Sequence, residues 1–145
     1  MTPLKLVALD EDDLKIVSAH VQDAVMKVGD LEFLRPRGLF VMPMNRFAWE
    51  IRTGFLGGRP ERRNSVLHFS RVLSARTSGI TPGKPDEVVS LLAVTFAPSA
   101  DAPAGAIDLV FSGGGAIRLD VECVEARLAD LGGAWEASSR PAHRI

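Results

Sequence analysis

Beyond residue 30 the apolar side chains of this chain fall mostly on every second position, and a period of two commits a backbone to extended strands. Leu31 and Phe33 alternate with Asp30 and Glu32, and residues 39–44 resume the pattern after the turn residues Arg35, Pro36, Arg37 and Gly38. Ile107, Leu109 and Phe111 face Ile117, Leu119 and Val121 across Gly113, Gly114 and Gly115, which reads as a hairpin. Residues 88–96 are almost continuously apolar, the pattern of a central strand covered on both faces. Pro43 has no N–H for a ladder, so its strand is expected at an edge or with a bulge. Residues 65–76 read as one long strand, with Arg71 on its apolar parity suggesting a bulge near Ser70.

Two segments read as helix. After a short strand at residues 4–9, Asp10 offers an N-cap, and Asp13 sits in an acid-rich first turn that complements the helix dipole. Leu14, Val17, Val21, Ala24 and Val28 then follow helical spacing, which predicts a helix to about Val25, broken by Gly29 and Asp30. Near the other end Val121, Val124, Leu128 and Leu131 do the same, with Gly132 and Gly133 as a C-cap signal. The predicted fold is therefore α+β. It is a mostly antiparallel sheet of six to seven strands, or an open barrel of pleckstrin-homology-like form, with a helix after the first strand and a C-terminal capping helix. A layered sandwich with both helices on one face fits the same order. Residues 1–133 are expected to form a single domain and residues 134–145 an irregular tail. A chain of 145 residues is long enough to bury roughly 70% of its unfolded surface without staples.

The charges are segregated. Between Arg35 and Arg76 lie nine arginines, no lysine and two acids, Glu50 and Glu61, although the formal net charge of the whole chain is −1. Arginine grips carboxylates and phosphates bidentately. Arg46, Arg52, Arg59, Arg62 and Arg63 surround a glycine-rich loop over residues 53–63, and Phe47, Trp49 and Phe55 are interleaved among them. Arginines among exposed aromatics have the composition of a stacking platform or of an interface anchor, and equally of a solvated strand face over core aromatics. A sequence pI near 6.3 speaks against nucleic acid, whose dedicated binders usually exceed about 9.

Other chemistries find little support. His20, His68 and His143 lack metal-ligand spacing, and a lone Cys123 permits no intrachain disulfide and no cysteine-rich zinc cluster. Cys123 reads as a small inward-facing core residue at the start of the last helix. No serine lies in a nucleophile-elbow pattern. The three glycines precede a strand where a phosphate loop requires a helix. The acids at positions 10–13 lack a calcium-loop pattern and are explained by capping. No metal or cofactor is expected. The acidic start without an apolar leader, and the lack of a run approaching the roughly 20 residues of a span, predict a cytoplasmic chain with no membrane insertion.

The segments LVALDEDDLKIVSAHVQDAVMKVGDL, NRFAWE, LHFSRVLSARTSGI and FSGGGAIRLDVECVEARLADLGGAW resemble an uncharacterised bacterial family of short proteins, a domain of unknown function. The resemblance implies a bacterial cytosolic protein and assigns no catalytic residue. From the residues themselves, the expected function is a non-enzymatic module recognising an anionic partner, either an acidic protein surface or a phosphorylated small molecule. Its binding residues would be Arg46, Trp49, Arg52, Phe55, Arg59, Arg62 and Arg63. The acidic remainder of the chain would also suit the arginine face of a second copy, giving a homodimer. The alternative is a small enzyme assembling His68, His143, Arg71 and a carboxylate across the sheet.

Overall fold

The computed structural model describes residues 3–48, 61–81 and 83–131. In chain order the elements are β1 (Lys5–Ala8), α1 (Glu11–His20), β2 (Val25–Lys27), β3 (Glu32–Leu34), β4 (Leu39–Phe47), β5 (Arg62–Phe69) and β6 (Val72–Ser78). They continue with β7 (Val88–Pro98), β8 (Gly105–Phe111), β9 (Ala116–Val121) and β10 (Ala126–Asp130). Among the described residues these make one ten-stranded sheet in the order β1-β10-β5-β4-β2-β7-β8-β9-β6, with β3 also on β4. Every pairing is antiparallel. The mostly antiparallel α+β expectation holds, with more and shorter strands than predicted.

The apolar run at 88–96 becomes β7, an interior strand as expected. Its first residues pair with β2 and the remainder with β8. Leu92 alternates outward after the buried Val89 and Leu91, at 45% exposure, and the register shift between Leu91 and Ala93 moves the inward parity to Val94. Both parities of the run are apolar, yet on either side of the shift only one is core. Alternation carries Met42 and Met44 of β4, Leu67 and Phe69 of β5, and Ile107, Leu109 and Phe111 of β8 into one hydrophobic cluster with Ile117, Leu119 and Val121 of β9. The β8–β9 hairpin turns through Gly113 and Gly114, whose φ values of 79° and 88° suit residues without a Cβ.

Helix α1 starts as its sequence dictates. Asp10 accepts from Asp13 N at 2.8 Å, and Asp13 accepts from Leu9 N at 3.2 Å. Leu14 and Val17 face the core, and Ser18 Oγ accepts from Val94 N of β7 at 2.9 Å. The helix ends at His20, short of the predicted Val25, because the chain beyond it bonds to β7. Asp23 N donates to Leu91 O and Leu91 N donates to Ala24 O, each at 2.8 Å. Val21 and Ala24 remain buried, so their spacing reported burial rather than helix.

The predicted C-terminal helix is absent from residues 121–131. That stretch is the end of β9, a turn, and β10, which is laddered to β1 on one side and β5 on the other. Val121, Val124 and Leu128 are all buried, and their spacing of three and four spans two strands and the bend between them. Two neighbouring edges supplied hydrogen bonds for a strand, and helix propensity had no comparable partner there. The pleckstrin-homology-like comparison therefore loses the capping helix on which it rested. Cys123, expected inward at a helix start, lies half-buried in the turn. The single strand expected over 65–76 breaks into β5 and β6 at Ser70 and Arg71. Arg71 has φ +61°, and Val72 N donates to the carbonyl of Gly38 at 2.9 Å. The tail expected over 134–145 lies outside the described residues.

Candidate functional site

The register of β4 and β5 divides the arginine cluster between two faces. Arg46 stands opposite Arg63, and Phe47 opposite Arg62. Directly opposed residues share a face and neighbours along a strand do not, so Arg46 and Arg63 point one way while Phe47 and Arg62 point the other.

Arg46 continues the inward parity of Phe40, Met42 and Met44 and is fully buried. It meets Asp130, which continues the inward parity of Ala126 and Leu128 on β10. The two side chains are 0% and 1% exposed. Arg46 Nε donates to Asp130 Oδ1 and Nη2 to Oδ2, both at 2.9 Å, a bidentate fork. Ser65 Oγ of β5 donates to Asp130 Oδ1 at 2.6 Å and accepts from Arg46 Nε at 3.1 Å. Leu4 N donates to Asp130 Oδ2 at 3.0 Å, and Arg46 Nη1 donates to Phe47 O at 3.2 Å. No buried side-chain polar atom among the described residues lacks a partner. Burial alone would raise the Asp130 pKa. The hydrogen bonds from Arg46, Ser65 and Leu4, with the charge of Arg46, outweigh it and hold the carboxyl below its ordinary value.

Arg46, expected at a binding surface, is therefore an interior group that ties β4, β5, β10 and the chain at Leu4 together. Arg63 is an intermediate case. Its Nε donates to Glu61 Oε1 at 2.6 Å, and its Nη1 lies 3.8 Å from Asp130 Oδ2. Arg62 is the exposed member. Its guanidinium lies 4.0 Å above the Phe47 ring, and it donates through Nε to Asn45 Oδ1 and through Nη2 to Asn45 O at 3.3 Å. Asn45 in turn donates to Asn64 Oδ1 at 3.1 Å. Trp49, Arg52, Phe55 and Arg59, the other expected binding residues, lie outside the described residues, as does His143.

The chain matches the model of a family described as "Protein of unknown function (DUF2948)" over residues 4–143. It belongs to that family. No curated protein and no solved structure matches it.

Of the residues of the enzyme alternative, His68 and Arg71 lie near the carboxylate of Glu125 around β5 and β10. His68 stands opposite Arg127. Desolvation lowers the His68 pKa, the charge of Arg127 lowers it further, and Glu125 pulls the other way. Arg71 Nε lies 3.6 Å from Glu125 Oε1, and Arg127 Nη1 lies 3.4 Å from Glu125 Oε2. The carboxylate is thus shared by two guanidiniums. Among the described residues no group of three or more His, Cys, Asp and Glu side chains could hold a metal ion. No helix there is long and apolar enough to cross a membrane.

Sequence reasoning missed a cleft of about 460 Å³ beside the buried ion pair, between β2 and β4. It opens because those strands share a single ladder position, Val25 with Asn45. On the same side of β4, β3 pairs with Leu39, Phe40 and Val41. The strand is interior rather than at the edge expected for it, and Pro43, which has no N–H to offer, is accommodated in the gap between the two partners. The Arg46–Asp130 pair did leave a sequence signal, a charge on the apolar parity of each of two strands. The expected C-terminal helix hid it by assigning Asp130 no parity.

Proposed function

We propose that the chain is a non-enzymatic binding module that recognises an acidic surface of a protein partner through the outer face at the end of the β4–β5 pair. The supporting observation is Arg62. It is exposed and stacked on Phe47, and Asn45 anchors it through its side chain and its carbonyl. An arginine held in this way loses less conformational freedom when it meets a carboxylate, and its stacking leaves guanidinium edges to donate. The sequence adds Arg52 and Arg59 in the connection between the strands. The small-enzyme reading is weaker, because His68, Arg71 and Glu125 sit on a sheet face with the acid already engaged by two arginines.

Binding to immobilised poly-L-glutamate, followed by an optical biosensor over a salt series, tests the reading. Arg62→Glu is expected to abolish binding and to leave the melting temperature nearly unchanged, since exposed charges contribute little to stability. Wild-type binding is expected to weaken with salt. Salt-independent binding, or binding undiminished in Arg62→Glu, would refute it.

A further inference from the structure

The cleft between β2 and β4 has the size of a small-molecule site, which typically spans about 300–1,000 Å³. Met26, Met44, Val25, Val88, Pro43 and Leu131 form its apolar walls. Methionine thioethers adapt to irregular apolar shapes, so two of them beside one cleft favour an aliphatic or aromatic body. Its polar lining comprises Lys27, Asp30, Asn45, Asn64 and Ser65. Ser65 is spoken for by Asp130 and Arg46, and the side chain of Asn45 by Asn64 and Arg62. Behind Ser65 the bidentate ion pair is self-neutralising, so it adds no net charge to that wall.

Three groups remain uncommitted. Asn64 accepts through Oδ1 from Asn45, which leaves its Nδ2 free to donate. The side chains of Lys27 and Asp30 have neither a hydrogen-bond nor an ion-pair partner among the described residues. They bracket the 3-10 turn Val28–Asp30 and bring one positive and one negative charge to the same cleft without pairing to each other.

We propose that this cleft binds a small organic acid with an apolar body and a hydrogen-bond donor beside its carboxylate, the chemistry of an α-hydroxy or α-amino acid. The Lys27 ammonium and the Asn64 amide donate to the carboxylate. Asp30 accepts from the neighbouring hydroxyl or ammonium, and the body lies against Met26, Met44 and Val88. Inorganic anions leave the apolar walls unfilled, and an uncharged hydrocarbon leaves both charges unmet. Arg62 is not part of the lining, so this site is distinct from the arginine surface proposed above, to which it is linked through Asn45.

The test follows amide shifts of the ¹⁵N-labelled chain during titration with L-leucine, with 2-hydroxyisocaproate, and with isocaproate, which lacks the donor. Saturable shifts of Met26, Lys27, Asn45, Asn64, Val88 and Leu131 are expected with leucine, the hydroxy acid or both, and the responding probe separates the two sources. Isocaproate is expected to bind more weakly. Lys27→Gln is expected to weaken binding by about ten- to a hundredfold, the loss of one charge-assisted hydrogen bond. It should leave the wild-type spectrum otherwise intact, because Lys27 is exposed. Val88→Trp, at an exposed wall position, should block the cleft. The proposal is overturned if neither leucine nor the hydroxy acid gives saturable shifts at these residues. It is also overturned if isocaproate binds as tightly, or if both Lys27→Gln and Val88→Trp bind as the wild type does.

Discussion

Replacing Asp130 with Asn preserves shape and removes the charge that meets Arg46. In the wild type the carboxylate receives the Arg46 fork at 2.9 Å on each oxygen, Ser65 Oγ at 2.6 Å and Leu4 N at 3.0 Å. A carboxamide offers one oxygen to these donors and presents an NH₂ to the rest. The buried Arg46 guanidinium then loses the charge of Asp130, and breaking a buried pair in this way typically costs about 3–5 kcal/mol. Domains of this size are stable by only about 5–15 kcal/mol, so Asp130→Asn should lower the urea midpoint sharply without changing the slope. Arg46→Met should cost a similar amount by leaving the buried Asp130 carboxylate with only the more distant Arg63 guanidinium, at 3.8 Å, as counter-charge. The double variant Arg46→Met/Asp130→Leu removes both charges together. It strands Ser65 Oγ and Leu4 N and takes the Arg46 donor from Phe47 O, each costing about 1–3 kcal/mol if no water reaches it. Replacing a buried pair with apolar groups can itself be neutral or stabilising. The double variant should therefore be more stable than the sum of the single changes implies, by several kcal/mol of coupling in a double-mutant cycle. Single variants costing less than about 1 kcal/mol each, the range of an exposed pair, would refute the assignment of Arg46 to the interior. Strict additivity in the cycle would refute it as well.

The lowered pKa of Asp130 means that its stabilisation is fully present above the unfolded carboxylate value, near 3.9, and is lost as pH falls through the folded value; the stability gap between wild type and Asp130→Asn should therefore narrow in acid. His68 has a folded pKa below the unfolded value near 6.5, so the unfolded chain binds more protons between the two; stability should rise with pH across that window, His68→Gln should flatten the rise, and an NMR titration of the ring should give a midpoint below 6.5. Leu91→Ala should cost about 2–5 kcal/mol by opening a core cavity, whereas Leu92→Ala, one residue along the same apolar run, should stay within about 1 kcal/mol; equal costs in urea denaturation would contradict the outward placement of Leu92.

Local chemistry alone settles several features of this chain. Asp10 caps α1 because a short acceptor beside the free N–H groups of a first turn needs no tertiary partner. The glycines at 113 and 114 turn the β8–β9 hairpin because only they take positive φ without strain. The inward parity of β4, β8 and β9 was equally legible, since alternation is a property of each strand by itself. Tertiary structure decided what a helix-like spacing meant at residues 21–28 and 121–131. Buried residues three or four apart arise in a helix, and also where a strand bends or one strand ends and the next begins. The choice fell to whichever backbone partners lay alongside, β7 for Ala24 and β1 and β5 for residues 126–130. The fate of the arginines was likewise beyond the sequence. One residue of register assigns Arg46 to the core and Arg62 to solvent, and it took β10 to bring Asp130, 84 positions along the chain, into a fork with Arg46. Charge clustering in a sequence is one-dimensional, whereas a pleated strand sends neighbours to opposite faces. The burial of a charge therefore depends on a partner that only the assembled sheet supplies.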